Sequence, residues 1–103
     1  MSSSTKILTV ILSQNDMHGD VPTYEAVVRR MVQLDVRGAT VNVGVMGFGT
    51  DHKVHHRRLF GVSDDRPVTI TVIDDEEKLR KIAPEIRKMV NDGILVLTDA
   101  EVL

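Results

Sequence analysis

Pro67-Val-Thr-Ile-Thr-Val-Ile-Asp74 runs straight into Asp75-Glu-Glu-Lys-Leu79-Arg-Lys-Ile82-Ala-Pro-Glu-Ile86-Arg-Lys-Met89-Val90. In the first part Val68, Ile70 and Val72 alternate with Thr69, Thr71 and Ile73. That period of two sends successive side chains to opposite faces and predicts a strand over 67–73. In the second part Leu79, Ile82, Ala83, Ile86, Met89 and Val90 recur at helical spacing and supply one buried face. Asp74 and Glu77 are expected as a capping pair at the helix start. Asp75, Glu76 and Glu77 at that end, with Arg87 and Lys88 near the other, complement the helix dipole. Pro84 removes the bond to the Arg80 carbonyl and is expected to kink the helix, and Gly93 suits its stop.

The same strand-then-helix order occurs upstream. Residues 5–13, Thr-Lys-Ile-Leu-Thr-Val-Ile-Leu-Ser, are β-branched and apolar and read as a first strand. Gln14 to Val21 reads as a polar loop, and Pro22 opens a helix, where its missing N–H costs nothing. Tyr24, Val27, Val28, Met31 and Leu34 form that helix's apolar face, and Gly38 is expected to end it. Thr40 to Met46 alternates strictly, placing Val41, Val43 and Val45 on one face, while Gly44 signals a bulge or a close backbone approach. Gly47-Phe48-Gly49 punctuates the strand end, 50–66 is the least regular and most cationic stretch, and 94–103 reads as a final strand.

The order β-α-β-β-α-β with right-handed crossovers predicts an α+β, ferredoxin-like sandwich. It is a four-stranded antiparallel sheet with two helices on one face, one domain over 1–103. The other sheet face carries Ile7, Thr9, Ile11, Asn42, Met46, Thr69, Thr71 and Ile73. Half-apolar surface on a helix-free face implies cover by another copy of the chain, hence a homo-oligomer.

Composition narrows the function. With no cysteine among 103 residues, disulfides, thiolate metal sites and cysteine nucleophiles drop out. A formal net charge of -2 and only three aromatics, Tyr24, Phe48 and Phe60, argue against a nucleic-acid surface. Met1 to Lys6 lacks the apolar stretch of a signal peptide and no apolar run approaches a membrane span, so the expected address is the cytoplasm, without membrane insertion.

Chemistry-bearing residues concentrate near the irregular stretch. Gly47, Phe48 and Gly49 would let backbone N–H groups approach a phosphate or purine, or simply turn the chain out of a strand. His52, Lys53, His55, His56, Arg57, Arg58 and Arg66 form a cationic cluster suited to phosphate, which Asp51, Asp64 and Asp65 partly cancel. Histidine spacings of three and one do not converge three imidazoles from a helix or strand, and no nearby Glu or Cys completes a metal set. Tyr24 is in phase with the core and Glu25 with the helix dipole. No Gly-x-Ser-x-Gly, metal box or Walker lysine is present, and the chain is read as a non-enzyme.

Four segments together resemble the PII-like family known as domain of unknown function 190. They are Gly19-Asp-Val-Pro-Thr-Tyr-Glu-Ala-Val-Val28, Gly38-Ala-Thr-Val-Asn-Val-Gly-Val-Met-Gly-Phe-Gly49, Asp65-Arg-Pro-Val-Thr-Ile-Thr-Val-Ile-Asp74 with Glu76-Glu-Lys78, and Met89-Val-Asn-Asp-Gly93. The resemblance implies a homotrimer with sheets turned to the threefold axis. It further implies an adenine nucleotide as effector in clefts between subunits, with no cofactor required. A T-loop at about 48–66 would dock on a partner protein, of the kind of a membrane transporter or channel. Thr40, Gly47, Phe48, Gly49, His55, Arg57 and Arg58 are the implied ligand-binding residues; family members tend to carry a histidine at the position of His55.

The chain departs from PII proteins at three places. Five residues, not four, separate Gly38-Ala-Thr40-Val41 from Gly47-Phe48-Gly49, which fits a bulge near Gly44. Only Asn91-Asp92-Gly93 stands where PII proteins carry a glycine-rich phosphate loop, and no arginine follows Arg87. The leading expectation is an effector-binding regulator. The alternatives are a ligand-free trimeric scaffold that binds protein through 48–66, and, below it, a small metal-dependent hydrolase using the histidine-rich loop.

Overall fold

The structure, a computed structural model, describes residues 4–48, the backbone of 55–56, and 65–103. Along the chain come β1 (Thr5–Ser13), β2 (Met17–His18), β3 (Val21–Pro22), α1 (Thr23–Gln33), β4 (Thr40–Val43) and β5 (Met46–Gly47). They are followed by β6 (His55–His56), β7 (Pro67–Asp75), α2 (Glu76–Met89) and β8 (Ile94–Asp99). Four of these make one antiparallel sheet in the order β4-β7-β1-β8, the ferredoxin-like arrangement expected from the sequence.

β1 lies inside the sheet, so its alternation decides which face is covered. Val10 stands opposite Ile70 on one side and Leu95 on the other; Leu8 stands opposite Val72 and Leu97. Leu8, Val10, Leu12, Val68, Ile70 and Val72 are all buried, and join Val27 and Met31 of α1 and Leu79, Ile82 and Ile86 of α2 in one core. Both helices therefore pack on the same sheet face. Each of these side chains contributes roughly 1.5–3 kcal/mol on burial. On the opposite face Ile11, Ile73, Ile94 and Val96 remain 39%, 45%, 53% and 37% exposed.

Several boundaries differ from the sequence reading, each for a local reason. β7 extends to Asp75, because Asp74 keeps the same two-residue register as Val68, Ile70 and Val72 and turns into the core. Asp74 is thus a buried strand residue and not half of a capping pair; Asp75 occupies the N-cap without a side-chain cap bond. Helix α1 stops five residues before Gly38. Asp35 takes a left-handed backbone (φ 62), while Asp35 N donates to Val32 O (3.2 Å) and Val36 N to Met31 O (3.3 Å). This is a Schellman closure with aspartate in the place glycine usually fills. Pro84 lies inside helix α2, where the sequence reading put it, and is exposed.

The expected 40–46 strand ends at Val43. Beyond it Val45 is 78% exposed, off the face of Val41, and Met46–Gly47 pair with His55–His56 in a separate ribbon. The 14–21 loop contains a hairpin in which Met17 faces Pro22 and His18 faces Val21. Gly19, at φ 64, occupies the first turn position, where a two-residue hairpin needs positive φ. β8 ends at Asp99, short of residue 103.

Candidate functional site

The break after Val43 is made by Pro67 at the start of β7. Gly44 N donates to Pro67 O (2.6 Å), and a Cβ on Gly44 would lie 2.7 Å from the proline Cγ. A Cβ on Gly47 would lie 2.9 Å from the same atom. Both glycines thus permit a close approach that any side chain would block. The close approach expected at Gly44 is present, and its partner is the proline ring. Nothing local in the sequence pairs residue 67 with 44 and 47, since the contact spans the whole irregular stretch.

The same end of the sheet gathers part of the expected site. Gly47 and His55 are register partners in the β5–β6 ribbon, and Met46 pairs with His56. Phe48 follows directly and is 67% exposed. Thr40 stands opposite Thr71, four residues along β7 from Pro67, or roughly 13 Å away at strand rise. It is exposed at the other end of β4. Gly49, Arg57 and Arg58 lie outside the described residues, as do His52, Lys53 and most of the 48–66 segment. Tyr24 packs half-buried against the core, matching its structural reading; Glu25 lies in the first turn of α1, where the dipole reading put it, and also pairs with Arg29 (3.2 Å).

The end of that segment is tied to the exit of β1, which the sequence did not reveal. Gln14 N donates to Arg66 O (2.8 Å), Asn15 N to Asp65 Oδ1 (3.3 Å), and the Ser13 hydroxyl bonds the same carboxylate. Residues 65–67 therefore touch β1's exit and the β4–β5 break together.

The opposite end of the sheet is electrostatic and structural. Burial would push the Asp74 carboxyl up. The N–H groups of Asp75 (2.7 Å) and Arg37 (3.0 Å), with the charges of Lys78 and Arg37, outweigh burial and hold it below its ordinary value. Arg30 joins α1 to Glu85 of α2, donating from Nη2 to Oε1 at 3.2 Å. A hydrogen bond from Arg30 likewise holds Glu85 low. A surface groove of about 490 Å³ opens here, lined by Leu34 and Ile82 with Asp75, Glu77, Lys78 and Lys81. It lies at the end of β7 remote from Pro67, eight residues or roughly 26 Å away along the strand. Its charges are mixed and it shares no residue with the expected site. Among the described residues no three His, Cys, Asp or Glu side chains are grouped to hold a metal, and no helix is long and apolar enough to cross a membrane.

A ferredoxin-like sheet of this order, with two helices on one face and a long connection between β5 and β7, is a PII-like fold. A solved structure shares it: CPII, a nitrogen regulatory PII-like protein from Thiomonas intermedia K12, bound to ADP, AMP and bicarbonate. The two superpose with a TM-score of 0.66 at 21% identity, over 99% of this chain and 91% of that one. The chain belongs to the DUF190 family, described as an uncharacterized ACR, whose model matches residues 5–102. A UPF0166 protein of Aquifex aeolicus is 30% identical over 98 residues, covering 95% of this chain and 92% of its own. One from Methanocaldococcus jannaschii is 29% identical over 98 residues, covering 94% and 90%.

Proposed function

We propose that this chain is a PII-like regulatory protein of the cytoplasm. It binds an adenine nucleotide at clefts between copies and signals to a partner protein through 48–66. The observation that carries the reading is the PII-like fold over 99% of the chain, shared with a protein bound to ADP and AMP. Two features of this chain support it. The helix-free sheet face exposes Ile11, Ile73, Ile94 and Val96, a surface suited to burial against two further copies in a trimer. At the loop base, Gly47 and the exposed Phe48 lead into a segment carrying Lys53, Arg57 and Arg58.

In this reading Gly47, Phe48 and Gly49 offer backbone N–H groups and an aromatic face, His55 stands across the ribbon, and Arg57 and Arg58 neutralise phosphate. Thr40, at the far end of β4, contacts the ligand from the neighbouring copy's side of the cleft. The arginines take over the charge that the short Asn91-Asp92-Gly93 turn and the arginine-free C-terminal stretch do not supply. The protein works by binding and not by turnover. The effector acts only through its different affinity for the conformations of 48–66, a coupling of typically about 1–3 kcal/mol. Arg57→Ala with Arg58→Ala tests the site: nucleotide affinity measured by calorimetry is expected to fall by roughly a hundredfold, about 1.4 kcal/mol per lost charged contact. Unchanged affinity in the double variant would remove the basic segment from the site.

A further inference from the structure

Residues 13–23 are held from one side by 65–67. Gln14 N reaches Arg66 O (2.8 Å), and Asn15 N and the Ser13 hydroxyl reach the Asp65 carboxylate. The stretch then forms the β2–β3 hairpin, only two residue pairs long, with Met17, His18, Gly19 and Asp20 all exposed. It ends where Thr23 N donates to Asp16 O (2.7 Å) at the first turn of α1. At that junction Thr23 is fully buried, and neither Thr23 Oγ1 nor Asp16 Oδ2 has a hydrogen-bond partner among the described residues. Buried polar atoms without partners disfavour the closed arrangement, because opening would hydrate them. A two-pair ladder adds little to offset this. The closed position therefore depends on the bonds to 65–67.

We propose that residues 14–22 are a strap over the start of α1, latched by Asp65–Arg66–Pro67 and released when β4–β5 displaces Pro67. The proline ring makes the link stiff, since its φ is fixed and its side chain can yield only by a small pucker flip at Cγ, so a larger push from Gly44 or Gly47 moves the backbone. The position of the strap thus reports the state of the loop base. This holds whatever the effector is.

Amide hydrogen exchange on the full chain tests it. In Asp65→Ala the amides of Gln14, Asn15 and Thr23 should exchange roughly tenfold faster or more, with those of Val10 and Ile70 in the central ladder unchanged. The discriminating variant is Gly44→Ala, whose added Cβ has only Pro67 atoms as its three nearest neighbours. It should loosen the same three amides, and Pro67→Ala in that background should restore them. In the unaltered chain those amides should exchange by local opening, at rates insensitive to low denaturant, while the ladder follows global unfolding. Gly44→Ala with strap amides at unaltered rates, or with every amide accelerated alike, would overturn the proposal. So would strap amides in the unaltered chain that exchange only with global unfolding.

Discussion

Asp74 has the most consequential environment of any single side chain described. It is wholly buried, yet two backbone N–H groups and two cations hold its carboxylate ionised. Its folded value lies below the ordinary aspartate value of about 3.9. The contribution to stability is therefore complete above that value and is lost as pH falls through the lower, folded value. Asp74→Asn should destabilise the fold by about 2–3 kcal/mol at neutral pH, because two part-buried backbone N–H groups lose a charged acceptor. Denaturant melts at pH 7 and below pH 4 check this: the variant should show a shallower loss of stability in acid, and an equal acid slope would contradict the assignment. Gly93 is constrained by space and not by charge. Its Cβ would meet the Ile11 carbonyl at 2.5 Å and Val90 Cγ1 at 2.7 Å, so Gly93→Ala should cost about 1–3 kcal/mol in the same melts.

Among the elements, α2 offers the cleanest test. Pro84 is exposed in mid-helix, where proline is roughly 3 kcal/mol worse than alanine. Pro84→Ala should raise stability by about 1–3 kcal/mol by restoring the N–H to the Arg80 carbonyl. A loss of stability on thermal melting would mean that the proline positions the helix. Elements with uninterrupted periodicity were the ones legible in the sequence: β1 falls at 5–13 as read, and β7 differs only by two residues. What escaped was decided by contacts distant in sequence or by unusual backbone. Val43 ends β4 because Pro67, more than twenty residues on, accepts from Gly44 N but has no N–H to return to it. Asp35 closes α1 with a left-handed turn that glycine would have announced. The β2–β3 hairpin is too short for periodicity to reveal. Of the candidate site, the pairing of Gly47 with His55 is visible, whereas Gly49, Arg57 and Arg58 lie outside the described residues.

For the whole molecule, the proposed trimer rests on the helix-free sheet face. Ile11 and Ile94 are register partners, and Val96 stands opposite Thr9, so these exposed apolar side chains are contiguous across β1 and β8. Ile11→Glu should turn a particle of three times 11.5 kDa into single chains in sedimentation equilibrium while the fold persists by circular dichroism. An unaltered mass would place the interface elsewhere. Nucleotide sensing is tested most directly by calorimetric titration of the unaltered protein with ATP, ADP, AMP and cyclic AMP, with and without magnesium. A PII-like sensor predicts saturable binding of at least one of them near one ligand per subunit. No binding by any, from a protein sedimenting as an intact oligomer, would contradict nucleotide sensing and leave the chain as a protein-binding scaffold.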